Sequence, residues 1–361
     1  MSAYDVVVVG GGIGGLTVAA LLSARGLNTC LFERQSQVGG CIARVEFAGY
    51  DFEPGMGLYT GFGAGEVYDT LFSQLPVAMP EATLRQSPYV LRRLDGSDVT
   101  LATDDLYSIA GGPATLAERL AESIKQSRGN LRLNSPVLRL AYDEVGNATG
   151  VDLLSGERVF AKRAIVSNLT VWDTYGKLVG LNRTPPEIKK HLKELRGAGV
   201  YVVYAGIDDS AVARLPAELM RVEDSEGEFT LAISSSGMAP PGKRAVTFTT
   251  RTEIDAWFAY QSSEEDYEEW DQEALEHFWS RLHAALPELG SDIEVIETAN
   301  PRTYYDSTRR KLGMVLGVEE RVSADHQTLV PNVFMVGDTV SSEARVNAVI
   351  ESAVTLVKRL H

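Results

Sequence analysis

Cysteine is nearly absent from this chain. Cys30 and Cys41 are the only two, and no CxxC or CxxxxC pair exists, which argues against a dithiol–disulfide redox centre. Cys30 falls in an apolar stretch and reads as a small buried hydrophobe. Histidine is also sparse. The five residues at 191, 277, 283, 326 and 361 show no metal-ligand spacing, so no metal is expected. Positive charge is the minority sign: 34 Lys and Arg against 49 Asp and Glu give a formal net charge of −15. That argues against nucleic acid as a partner and against charge-driven binding to anionic membranes. It leaves membrane docking through an apolar patch open. No apolar run reaches the length of a membrane-spanning helix, because Gly, Arg or Asp interrupts the longest ones. Met1-Ser-Ala-Tyr-Asp leads straight into an apolar strand without the pattern of a secretory signal. The expected location is the cytoplasm, with peripheral membrane contact left open.

Glycine, by contrast, is placed as punctuation, and the chain is organised around its first 40 residues. Residues 6–9 are four valines, as a buried parallel strand requires. They run into Gly10-x-Gly12-x-x-Gly15, then a helical pattern over 16–24 closed by Gly26. A second strand over 29–32 ends in Glu33. In this order each glycine has a task. Gly10 turns the chain, Gly12 clears room for a pyrophosphate, and Gly15 lets helix and strand approach. The helix-start amides then face the phosphates, and Glu33 is placed to accept ribose hydroxyls. The strand–turn–helix–strand–acid order is what separates a dinucleotide site from an ordinary glycine turn.

Gly39-Gly40, shortly after the acid, narrows the expectation from a dinucleotide to FAD. Glu33-x-x-x-x-x-Gly39-Gly40 resembles the FAD fingerprint of the flavin amine oxidase superfamily, which includes phytoene desaturases, carotenoid isomerases and retinol saturases. The resemblance implies a Rossmann-like α/β domain with a small antiparallel layer, and a second α+β substrate domain. The expected division is discontinuous: residues 1–65, 111–170 and 313–361 for FAD, residues 66–110 and 171–312 for substrate.

The rest of the chain keeps the order of that family. Gly49 to Gly57 resembles the stretch leading to the flavin ring, with Met56 and Gly57 close to it. Residues 89–94 and 98–102 alternate around Asp95-Gly96, a hairpin signal. Gly111-Gly112-Pro113 opens a helix over 114–126, and the resemblance puts the Val137 backbone against the adenine. Residues 148–154 and 158–161 flank Ser155-Gly156 as a second hairpin, and 164–167 return as an apolar strand followed by Asn168. A basic helix over 185–196, strands over 200–207 and 245–250, and an acidic helix over 264–286 follow. Tyr267, Trp270, Leu275, Phe278, Leu282 and Leu286 fall at helical spacing and are expected to face a core.

Residues 333–336 form another buried strand ending in Gly337-Asp338, at the edge where open α/β sheets place ligands. Asp338 is expected to accept ribityl hydroxyls. A helix is expected from about 343 to 360, capped by Ser341 or Ser342, with Arg345 and Val346 near the flavin O2 region.

The full cofactor set implied is Gly10, Gly12, Ile13, Gly14, Gly15, Glu33, Arg34, Gly39, Gly40, Cys41, Met56, Gly57, Val137, Gly337, Asp338, Arg345 and Val346. No cysteine lies in the C-terminal segment, so flavin attachment there is expected to be non-covalent. Residues 292–317 resemble the isomerase and saturase branch, and this region approaches the flavin in those relatives. Tyr304, Tyr305, Arg309 and Lys311 are its polar groups. No catalytic constellation stands out; Tyr59, Tyr305 and Lys311 are the candidates.

The expected chemistry is hydride transfer between a substrate carbon and flavin, desaturase- or saturase-like, on an apolar or isoprenoid-like small molecule. Electrons would leave to oxygen, a quinone or a protein. Amine oxidation, isomerisation without net redox change, and a non-catalytic flavin-binding module are the alternatives. The family's characterised desaturases carry a helical region before the glycine pair; residues 104–110 are too few to hold it.

Overall fold

A computed structural model describes residues 2–52, 54–55, 57–259, 264–315, 326–341, 343 and 345–360. The expected contact Met56 lies outside the described residues, as do Ser342 and Gly317. Two layers, each with its own seven-stranded sheet, meet through the Tyr50–Phe52 strand. The first is built on β1 (Ala3–Val9), α1 (Ile13–Ala24) and β2 (Thr29–Phe32). β1 lies between β2 and the long strand Arg158–Ser167, both parallel to it. Asn130–Arg132 extends the sheet beyond β2, and Val333–Met335 pairs with Arg158–Ser167 on the other side.

The registers fix where the strands end. Arg132 pairs with Phe32, Phe32 with Val9, Val9 with Ser167, and Ser167 with Met335. Glu33, Gly10 and Asn168 therefore follow one row across the sheet, at its carboxyl edge. Residues far apart in sequence are delivered there together, which is where such sheets bind ligands.

Burial explains why α1 is apolar all round. Every residue from Ile13 to Ser23 is buried, because α1 is packed between the sheet and the helices Ala114–Gln126 and Val346–Leu360. An all-round apolar helix is stable only in such a position. The Arg158–Ser167 strand is continuous, where the sequence suggests two pieces. Its first residues pair antiparallel with Ala148–Leu153, which pairs with Val137–Tyr142. One strand thus joins the parallel core to the small antiparallel layer.

The second sheet runs in the order Ile293–Ala299, Gly199–Asp208, Lys243–Thr252, Gly227–Ile233, Leu219–Asp224, Tyr89–Arg92, Asp98–Thr100. Gly199–Asp208 is buried on both faces. Tyr201, Val203, Ala205 and Ile207 pack toward Phe278, Leu282 and Leu286 of the Glu264–Ala285 region. Val200, Val202 and Tyr204 pack on Tyr50 and Phe52 of the first layer. Period-2 alternation therefore supplies two cores from one strand. The helix Val67–Phe72 sends Tyr68, Leu71 and Phe72 into the core around α1.

Candidate functional site

The site begins at the carboxyl end of β1. Gly10 takes a left-handed φ of 101°, and its amide donates to Phe32 O at 2.8 Å. A Cβ on Gly15 would stand 2.2 Å from Gly10 O, so the helix and strand can approach only with glycine there. Gly12 is the N-cap of α1 and brings no side chain to it. The first-turn amides of Ile13, Gly14 and Gly15 have no intrahelical acceptor, and they carry the positive end of the helix dipole.

Glu33 closes the turn. Its Oε2 accepts the Gly11 amide at 2.7 Å and its Oε1 accepts the Gln35 amide at 2.7 Å. A carboxylate has about four lone-pair positions, so two backbone bonds leave room for further hydroxyl donors. Its carbonyl accepts the Ser135 amide at 2.8 Å, which brings Val137, two residues on, to the same end of the sheet. The glycine pair folds back as the sequence suggests. Gly39 N donates to Gly11 O at 2.8 Å, and a Cβ on Gly40 would lie 3.4 Å from the Gly12 Cα. Both take positive φ, 113° and 59°.

Gly337-Asp338 arrives from the other side. Asp338 is held by Arg310 in a two-pronged ion pair, Nη1 to Oδ1 at 3.2 Å and Nη2 to Oδ2. Arg310 Nε donates to Met314 O at 2.6 Å. Burial opposes the guanidinium charge, and the Asp338 carboxylate more than offsets it, so Arg310 stays protonated well above its ordinary range. Cys41 stands beside this pair. Burial pushes its thiol up, and Arg310 pulls the other way.

Arg310 was missed from sequence, although its two neighbours were named. The reason is local. The helix Pro301–Thr308, opened by an Asn300–Thr303 capping box, ends on Arg309 in the left-handed conformation, φ 56°. That turn sends Arg310 inward and leaves Arg309 and Lys311 exposed. The side chain of Lys311 takes no part in the cluster; its amide donates to Asp173 Oδ2 at 3.1 Å. Tyr305 meets the ring of Phe258 edge-on at 5.7 Å, with Arg309 over its own ring, and so faces the neighbouring helix Ile254–Ala259. Tyr304 is the one that turns to the glycine pair. Burial raises its phenol well above the ordinary value, and it bonds to Tyr204 with Cys41 nearby. Tyr59 is buried, its hydroxyl donating to Pro54 O at 3.4 Å and its backbone bridging to Tyr107.

The remaining expected residues are placed as follows. The last helix is Val346–Leu360, not a helix from 343. Ser341 does not cap it; its hydroxyl donates to Glu343 O at 2.6 Å and shapes the turn before it. Arg345 pairs with Glu343 at 3.0 Å, with both side chains more than half exposed. Arg34 leaves the glycine turn and donates to Ser307 O at 2.6 Å, tying the β2 end to the Pro301–Thr308 helix. Gly57, at φ 63°, is approached by Leu219 and Ala232 of the second sheet, 3.1 and 3.4 Å from a Cβ built on it.

Fold and site together define a Rossmann-like dinucleotide-binding fold with a second sheet packed on its Tyr50–Phe52 strand. A family model for an NAD(P)-binding Rossmann-like domain matches residues 8–75, and one for flavin containing amine oxidoreductase matches residues 89–361. The chain belongs to the flavin containing amine oxidoreductase family, and the family's description implies a flavin cofactor. It is 26% identical over 269 residues to the chloroplastic prolycopene isomerase of Daucus carota, a match covering 69% of this chain and 43% of that one. It is 26% identical over 281 residues to the neurosporene-forming phytoene desaturase of Cereibacter sphaeroides, covering 70% and 53%. The chain thus spans about half the length of these curated relatives. An oxidoreductase from Methanosarcina mazei has a similar fold, with a TM-score of 0.73 at 14% identity over 98% of this chain and 99% of that one. No helix among the described residues is long and apolar enough to cross a membrane.

Proposed function

We propose that the chain binds FAD non-covalently along the carboxyl edge of its parallel sheet and is an FAD-dependent oxidoreductase acting on an apolar, isoprenoid-like small molecule. The observation that carries this reading is the convergence of three distant segments. The Gly11 amide, the Glu33 carboxylate and the Gly39-Gly40 backbone are hydrogen-bonded or packed together, with Gly337-Asp338 across the sheet edge from them. The residues suit the group. First-turn amides offer the positive end of the α1 dipole to a pyrophosphate, and Glu33 keeps lone pairs for ribose hydroxyls. When bound, FAD supplies the acceptor or donor of a hydride, with oxygen, a quinone or a protein as the second electron partner. The chain's own residues bind and orient it. A buried apolar and aromatic cluster, Val200, Val202 and Tyr204 with Tyr50, Phe52 and Tyr304, packs between the second sheet and the Tyr50–Phe52 strand and keeps water from that side of the cradle, as a hydrocarbon substrate requires. The names of the isomerase and desaturase relatives agree with such a substrate.

The test is a spectrum of the purified protein, followed by denaturation and chromatography of what is released. FAD in the supernatant, with an apolar molecule beside it, supports the reading; a colourless protein that takes up no added FAD overturns it. The family's description favours amine oxidation as the second reading. Peroxide release with amines, and none with lipophilic alkenes, selects that one.

A further inference from the structure

Asn168 stands inside the cradle without a task assigned by any motif above. We propose that it contacts the cofactor's pyrophosphate, its Nδ2 donating to a phosphoryl oxygen next to the α1 amides. This rests on the FAD reading.

The placement is specific. Asn168 follows Ser167, whose strand lies between β1 and Val333–Met335, so it occupies the middle of the carboxyl edge. Its amide donates to Val9 O at 2.8 Å, and the preceding carbonyl, Ser167 O, accepts from Val336 at 2.9 Å. The backbone is therefore pinned from both sides. The carboxamide then reaches over the glycine turn. A Cβ built on Gly12 would meet Asn168 Nδ2 at 2.7 Å; on Gly14 it would meet Oδ1 at 2.8 Å; on Gly337 it would meet Oδ1 at 3.2 Å. Glycine at 12 and 14 is thus what lets this carboxamide lie flat between the two turns.

Its surroundings point to an anion. Asn168 is half-buried, and among the described residues its carboxamide makes no hydrogen bond. Its carboxamide atoms are not among the buried ones shut off without a partner, so a ligand can reach them. It lies against Gly12, Gly14 and Gly15 at the start of α1, where the first-turn amides are donors without an intrahelical acceptor. Donors gathered at one helix start suit an acceptor that carries negative charge.

The test compares Asn168→Ala and Asn168→Asp with the wild-type chain, reading FAD affinity by fluorescence quenching. ADP, which carries the pyrophosphate without the flavin, is titrated in parallel. Loss of one hydrogen bond to a charged group lowers affinity about ten- to hundred-fold. Asn168→Ala should show that loss for both ligands. Asn168→Asp, nearly isosteric, should bind no better than the alanine variant, because it sets a carboxylate against the phosphates. A packing role predicts the reverse, with Asp tolerated and Ala damaging, and that order overturns the assignment. Thermal melts without ligand identify variants that do not fold; Asn168→Ser, smaller and uncharged, then replaces the failing one and should also lose affinity. A wild-type chain that takes up no FAD sinks both this assignment and the FAD reading. Wild-type binding matched by Asn168→Asp sinks this assignment alone.

Discussion

Replacing Glu33 by Ala should do two separable kinds of damage, because one carboxylate has two sets of partners. Without any cofactor, Oε2 and Oε1 each accept a backbone amide at 2.7 Å, from Gly11 and Gln35. A hydrogen bond to a charged group contributes about 1.5–3 kcal/mol when well buried. Glu33 is half-buried, so about 1 kcal/mol for each bond is the fitting scale, and the alanine variant should lose about 2 kcal/mol. That loss should appear as a lower urea midpoint, and as a fall of a few degrees in melting temperature, in protein stripped of cofactor. The second damage appears only on adding FAD. The lone pairs left on Glu33 serve the ribose hydroxyls, so FAD affinity should fall about tenfold or more beyond what the stability loss explains. FAD should then raise the variant's midpoint less than it raises that of the wild type at equal concentration. An apo variant as stable as the wild type would show that the carboxylate does not brace the glycine turn. An unchanged affinity would show that it does not hold the ribose.

Arg310→Met should destabilise the chain by about 2–4 kcal/mol, because it strands the mostly buried Asp338 carboxylate. Asp338→Asn added to it should cost less than the sum of the two single changes in a denaturation cycle, and strict additivity would refute the pairing. Acid should weaken the antiparallel layer through Asp152, whose carboxyl is held below its ordinary range first by the Arg158 hydrogen bond, against burial, with Arg139 adding to it. A carboxyl depressed by folding contributes stability that is present above its unfolded pKa of about 3.9 and lost as pH falls through the folded value. Asp152→Asn should therefore flatten the acid limb of midpoint against pH, and an unaltered limb would show that the carboxylate adds nothing.

What was legible in the sequence is what is written locally or as a repeated period. The β1–α1–β2 unit, the turn of Gly39-Gly40 back to it, the helix Ala114–Gln126 and the position of Gly337-Asp338 after a buried strand all read from short stretches. The aromatics of the acidic helix also read correctly, because 3.6-residue spacing reports a buried face directly. Leu219–Asp224 and Gly227–Ile233 went unread, since Arg, Glu and Asp break the alternation and the pairing between them supplies the missing signal. The π-helical turn Thr174–Gly180 has no local signature either. Its ion pair Lys177–Asp173, and the Asp173 bond to the Lys311 amide, show it bracing a segment more than a hundred residues away.

The glycines show why a correct motif can still be read too simply. From sequence, Gly12 clears space for a pyrophosphate. In the fold, the nearest atom to its missing Cβ belongs to Asn168. The glycine pattern therefore makes room for two things, the approaching ligand and a side chain from a strand over a hundred residues later. Sequence spacing cannot reveal the second, because the β1 pairing with Arg158–Ser167 decides which residue overhangs the turn. A usable signal did exist: a polar residue directly after an apolar strand, at the sheet edge where ligands bind. Arg310 had no such signal. It became part of the site only because Arg309 turns left-handed after a capped helix. The cradle's backbone is thus a local property of the chain, while the side chains that give it charge and donors are a property of the folded sheet.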